Sequence, residues 1–181
     1  MASTIIVGDG PAGLSTALFL AKNGQDVTIL MQDNTPMHYA KLLNYLGIPE
    51  MTGSEFQKIA KEQVLEFGAV FVDSPANNID RLPDGFNVTS EDGIERQANY
   101  LVLAEGKGAD LAEAIGLQKT EDGVAADESG RTSINGLYVV GRATRPNRSQ
   151  AIIAAGHGAA AALDILSSEA GKDFLDYDSV D

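Results

Sequence analysis

The apolar positions of this chain change their period several times, and each change marks an element. Thr4–Val7 is a short unbroken apolar run, as expected of a strand buried on both faces. After a glycine-rich turn, Leu14, Ala17, Leu18 and Ala21 recur at helical spacing. They predict a helix over 11–23 that ends at Gly24. A second strand follows at 27–31, completing a βαβ opening. A long loop then carries Pro36, Asn44, Gly47, Pro49 and Gly53. Ser54 and Gln57 stand at capping-box spacing and start the next helix, with Phe56, Ile59, Ala60, Val64 and Phe67 on one face and Gly68 at its end. A strand is expected at 69–72. Segments 86–90 and 94–97 flank Asp92-Gly93 and predict a hairpin. Strands at 99–104 and 137–140 and an alanine-rich helix over 150–166 complete the pattern. Tyr138 and Phe67 read as core. The tail from Lys172 holds four Asp and is expected to fray.

The turn between the first strand and helix reads Gly8-Asp9-Gly10-Pro11-Ala12-Gly13, a Gly-x-Gly-x-x-Gly spacing. Gly8 permits the tight turn, Gly10 lets backbone approach a pyrophosphate, and Gly13 lets the helix pack close to the sheet. The free N–H groups at the start of the helix then face the phosphates. Glycines in a βα turn that binds nothing give the same pattern, so the motif counts because strand and helix flank it. The expected fold class is α/β, a Rossmann-like three-layer dinucleotide-binding domain with a small inserted antiparallel β piece. It would span residues 1–170, leaving 171–181 as an acidic tail. A second glycine fingerprint is absent, so a second dinucleotide domain is not expected within these 181 residues.

Composition narrows the function. The formal charge is −13, which argues against nucleic acid and anionic membranes as partners and is compatible with a high-salt cytoplasm. There is no Cys, so disulfides, thiol redox chemistry and thiolate-held clusters have no ligand here. With only His38 and His157, no metal site is expected. No signal peptide and no apolar run of transmembrane length are read, and the expected location is cytoplasmic.

Several stretches, in this order, resemble the flavin-binding part of the thioredoxin reductase family, a class of flavoproteins with two dinucleotide-binding domains. They are Val7–Leu14, Asn44-Tyr45-Leu46-Gly47, Gly53–Phe56 with Glu66-Phe67-Gly68, Leu101–Gly106, Gly130–Ser133, Gly136–Gly141 and Gln150–Ala160. The resemblance covers residues 3–167. It implies FAD as cofactor, held by Gly8, Gly10, Pro11, Ala12 and Gly13 at the pyrophosphate, by Gly106, and by the Gly141-Arg142 pair. It also implies Asn44 and Tyr45 near the flavin, and Gln150-Ala151 at the start of a helix aimed at the flavin ring. In that family a nicotinamide domain carrying Cys-x-x-Cys interrupts the flavin domain. Here the step from Gly106 to Gly123 is too short to hold it. The resemblance is therefore to a small single-domain relative. Electrons would come from a nicotinamide nucleotide, a redox partner protein or a small substrate. A homodimer is expected to cover the exposed edges.

Three positions depart from the family pattern. Met31 stands where an acidic residue usually meets the adenosine ribose, leaving Gln32 or Asp33 to substitute. Glu105 replaces the Thr of an Ala-Thr-Gly element, and Arg142 replaces an Asp. Asp9 in the phosphate turn is tolerable if its side chain points to solvent. Arg142, Arg145 and Arg148 form the basic cluster of an acidic chain, either an anion site or surface charges paired with acids. His38 reads as a surface residue, and His157, facing solvent or a sheet, is assigned no acid–base role. No catalytic residue is named. The leading reading is an FAD-binding oxidoreductase without thiol–disulfide chemistry. The alternative is a non-catalytic nucleotide-binding or interaction module that has lost or weakened FAD binding.

Overall fold

The computed structural model describes residues 2–180. Strand β1 (Ser3–Val7) leads into helix α1 (Pro11–Lys22) and strand β2 (Asp26–Leu30). A short hairpin, β3 (Lys41–Leu42) and β4 (Met51–Thr52), precedes helix α2 (Gly53–Glu66) and strand β5 (Val70–Val72). Three antiparallel strands follow, β6 (Ala76–Leu82), β7 (Gly85–Ser90) and β8 (Glu95–Ala98). The chain then returns as β9 (Tyr100–Leu103), the short helix α3 (Asp110–Ala114), and the pair β10 (Lys119–Thr120) and β11 (Gly123–Val124). It closes with β12 (Leu137–Val139) and α4 (Ala151–Ala170).

The main sheet is parallel, in the order β12-β9-β1-β2-β5. Side-chain alternation divides its two faces. Ile6, Ile29, Val102 and Tyr138 face the helices and pack with Leu20 of α1, Val64 of α2 and Ile165 of α4. Ile5, Val7, Leu101, Leu103 and Val139 face the other way, onto Phe86 and Val88 of the antiparallel sheet. The third layer is thus a three-stranded sheet rather than a hairpin. β6 was not legible because its Ala-Asn-Asn-Ile-Asp-Arg-Leu sequence is mostly exposed and polar.

The α1–α4 contact depends on small residues. A Cβ on Gly158 would stand 2.1 Å from the Ala12 carbonyl oxygen. Thr16 Oγ1 donates to the carbonyls of Ala12 and Gly158, at 2.9 and 3.1 Å. By length and composition α4 could cross a membrane, which corrects the expectation that no such run exists. Here it packs in the core through Ala154, Ala161, Ala162, Ile165 and Leu166.

Other local expectations change as well. The cap of α2 is Thr52, whose Oγ1 accepts from Glu55 N at 3.2 Å, and not Ser54. Helix α2 buries Gly53, Gln57 and Val64, while Ile59 and Phe67 of the expected apolar face are 42% and 47% exposed. Phe67 is therefore not core. Tyr138 is, with its hydroxyl donating to Asp164 Oδ2 at 2.6 Å. The tail is tied down rather than frayed at its start. Lys22 Nζ meets Asp176 at 2.8 Å and Asp178 at 2.5 Å, and Phe174 packs on the helical core.

Candidate functional site

Chain reversal places β2 and β9 on opposite sides of β1, and ligands of such sheets sit beyond the strand carboxyl ends at this point. A cavity of about 1000 Å³ lies there. Gly8 follows β1, Gln32 follows β2, Gly106 follows β9 and Gly141 follows β12, and all four line it. Gly10, Pro11 and Ala12 line it as well, together with Asn44, Arg142, Gln150 and Ala151. Two expected residues do not line it. Gly13 lies behind the turn, where a Cβ would stand 2.0 Å from Gly8 O, so its role is close packing. Tyr45 instead sets its ring 5.5 Å from that of Phe56 on α2.

The backbone around the cavity is shaped for a close ligand. Gly8 has φ +103°, and a Cβ there would stand 2.5 Å from Ala104 O. Helix α1 begins at Gly10 with no side-chain cap, and α4 begins at Gln150 with none. Two uncapped helix N-termini therefore open on one cavity, each with unpaired N–H groups and a positive dipole end. Asn44 Nδ2 donates to Gln150 Oε1 at 3.1 Å, linking the long loop to the start of α4.

Asp9 contradicts the expectation that its side chain points to solvent. It is 2% exposed. Its Oδ1 accepts from the N–H groups of Gln32 and Asp33, both at 3.2 Å, and its Oδ2 lies 2.7 Å from Lys61 Nζ. Burial pushes the carboxyl upward, but the hydrogen bond and charge of Lys61 and the Gln32 N–H outweigh it, and the pKa is lowered. Gln57 Nε2 donates to Asp9 O at 2.7 Å, so α2 grips the turn at two places. Gln57 and Lys61 lie one helical turn apart. That spacing is the signal the sequence offered, hidden because both residues are polar.

The arginine cluster separates. Arg142 faces the cavity, with Nε donating to Pro146 O at 3.3 Å, while Arg145 and Arg148 are exposed. Among the described residues none of the three forms an ion pair. Glu105 caps α3, its carboxylate accepting from Leu111 N at 2.8 Å and Ala112 N at 3.0 Å. Burial raises its pKa more than these bonds lower it. His157, for which the sequence suggests no role, is buried, and its Nδ1 accepts from Gly141 N at 3.2 Å. His38 pairs at the surface with Asp33, Nε2 to Oδ1 2.9 Å. Among the described residues no group of three or more His, Asp or Glu is placed to hold a metal.

The sequence profile of the pyridine nucleotide-disulphide oxidoreductases matches residues 2–106. The chain belongs to this family. Among curated members, a thioredoxin reductase of Aquifex aeolicus is 34% identical over 106 residues, covering 56% of this chain and 33% of that protein. A ferredoxin–NADP reductase of Lactococcus lactis is 28% identical over 125 residues, covering 65% and 39%. The chain thus spans about a third of the length of the curated relatives it matches. In fold it is similar to an atypical thioredoxin reductase of Desulfovibrio vulgaris Hildenborough (TM-score 0.84, 18% identity, 92% of this chain and 97% of that one). A thioredoxin reductase of Gloeobacter violaceus gives TM-score 0.84 at 19% identity, over 99% of each chain. The profile-matched stretch ends at Gly106, where the segment leading to Gly123 begins. That segment holds only α3 and β10, and the chain has no Cys.

Proposed function

We propose that this chain binds FAD in the cavity and acts as a flavin-dependent oxidoreductase without thiol–disulfide chemistry. The observation that carries the reading is the convergence of the Gly8–Ala12 turn and two uncapped helix N-termini on one cavity of about 1000 Å³. That volume lies at the upper end of the range for ligand pockets. The residues fit the group: glycines keep side chains out of the pyrophosphate path, and the first N–H groups of α1 supply donors without competition from a cap. Arg142 adds a guanidinium to the cavity lining, suited to a phosphate oxygen. On this reading Gln32 would meet the adenosine, and Asn44, Gln150 and Ala151 would meet the flavin.

When bound, FAD supplies the electron-transfer chemistry. The protein supplies placement. The N-terminus of α4, pre-set by the Asn44–Gln150 hydrogen bond, favours negative charge in the part of the cavity it faces. Electrons are exchanged with a nicotinamide nucleotide or a redox partner protein, because the chain offers no thiol pair of its own. Tyr39, Leu43 and Leu46, exposed by 95%, 65% and 89% on the loop that borders the cavity, suit a homodimer contact. The reading is tested by the absorbance of freshly purified protein after FAD is added and excess removed. A retained oxidised-flavin band at about 450 nm supports it. A protein that emerges without colour overturns it and leaves a non-catalytic binding module.

A further inference from the structure

The position where a carboxylate normally reads the adenosine ribose is occupied by Met31, yet a carboxylate is present at the end of β2. It comes from Asp9, out of the phosphate turn. In dinucleotide sites an acidic residue about twenty positions after the turn recognises a ribose 2′-hydroxyl, whereas a nearby cation accommodates a 2′-phosphate. This chain has the parts of a cation site. Lys61 Nζ lies 3.8 Å from Met31 Sδ, and the N–H groups of Gln32 and Asp33 point to the same place. Two backbone donors and an ammonium group would form a good phosphate site if they were free. They are not free, because the Asp9 carboxylate occupies all three.

We propose that Asp9 is a specificity-determining residue that restricts the adenosine end of the cavity to nucleotides with a free 2′-hydroxyl. The proposal rests on the dinucleotide reading above. Asp9 withdraws the donors a 2′-phosphate would need, holding them with a buried carboxylate whose charge Lys61 balances. The charge is firm because Lys61 and two N–H groups favour the ionised form. Asp33 adds a second, exposed carboxylate nearby, directed to His38 rather than to the donors. The occupants that fit are FAD and other adenosine diphosphates. NADPH and its relatives do not fit at this end.

The test is a calorimetric titration of the flavin-free protein with ADP and with 2′-phosphorylated ADP, alongside FAD. The wild type is expected to bind ADP at least about tenfold more tightly than its 2′-phosphate. Asp9→Asn should erase that preference by releasing Lys61, and adding Lys61→Gln should remove the affinity gained for the 2′-phosphate. Asp33→Asn should leave the preference in place. If Asp9→Asn does not fold, Asp9→Gly makes the same comparison. Equal binding of the two nucleotides by the wild type, or a preference unchanged in both Asp9 variants, overturns the proposal while FAD binding stands. FAD binding that ADP cannot compete with also overturns it. Failure of FAD and ADP alike removes the dinucleotide reading and this inference together.

Discussion

His157 Nδ1 accepts a hydrogen bond from the backbone N–H of Gly141 at 3.2 Å, so a side chain of α4 fixes the turn that carries Arg142. An acceptor at Nδ1 requires the proton on Nε2, and Nε2 is buried without a partner. The ring is therefore neutral. Burial lowers its pKa below 6.5, Arg145 lowers it further, and Asp127 offsets part of this.

A histidine with a depressed folded pKa binds fewer protons folded than unfolded, so stability rises with pH in that window. The contribution is complete above 6.5, the unfolded value, and is lost as pH falls from there towards the lower folded value. Thermal unfolding of the wild type should show this slope, and His157→Asn should flatten it. Identical slopes in the two proteins would assign the pH dependence elsewhere.

Gly158 sets the distance between α1 and α4. Gly158→Ala places a methyl group 2.1 Å from Ala12 O, on the turn that borders the cavity. Overpacking of this kind costs about 1–3 kcal/mol, or roughly 2–4 °C of melting temperature per kcal/mol in a chain of this size. Because the clash falls on Ala12, FAD affinity should drop as well. A variant that melts with the wild type would contradict this packing.

The cap of α2 separates sequence expectation from structure. Thr52→Ala should cost about 1 kcal/mol, the usual value of an N-cap. Ser54→Ala should cost only a few tenths, since the Ser54 hydroxyl makes a single long contact of 3.5 Å to His38 O. Denaturant unfolding of the two variants distinguishes them, and the reverse order would restore Ser54 as the cap.

What the sequence revealed depended on which force wrote each segment. The parallel core strands were legible because both faces are buried, and Ile5-Ile6-Val7 and Leu101-Val102-Leu103 therefore read as apolar runs. The glycine turn was legible because its spacing reflects a backbone path. Strand β6 was hidden because edge position and exposure leave no alternation to read. The Asp9–Lys61 pair was hidden because burial of charge depends on tertiary partners 52 positions apart, which no local pattern encodes. Resemblance alone puts Tyr45 at the cavity, whereas its ring packs on Phe56. His157 looks ordinary between Gly156 and Gly158, and only the crossing of α4 over the Gly141 turn gives it a partner.

Gly10 offers the most direct test of the central claim. Its backbone is extended, with φ −76° and ψ −179°, which a β-branched residue adopts without strain. A Cβ there meets nothing closer than Thr35 Oγ1 at 3.5 Å, so Gly10→Val should fold while placing methyl groups in the proposed pyrophosphate path. The measurement is an equilibrium titration of wild type and Gly10→Val with FAD, followed by flavin fluorescence. The account predicts saturable binding of one FAD per wild-type chain and a loss of about 100-fold or more in the variant, equivalent to roughly 3 kcal/mol. Equal affinities in two folded proteins, or no saturable binding by the wild type, would contradict it.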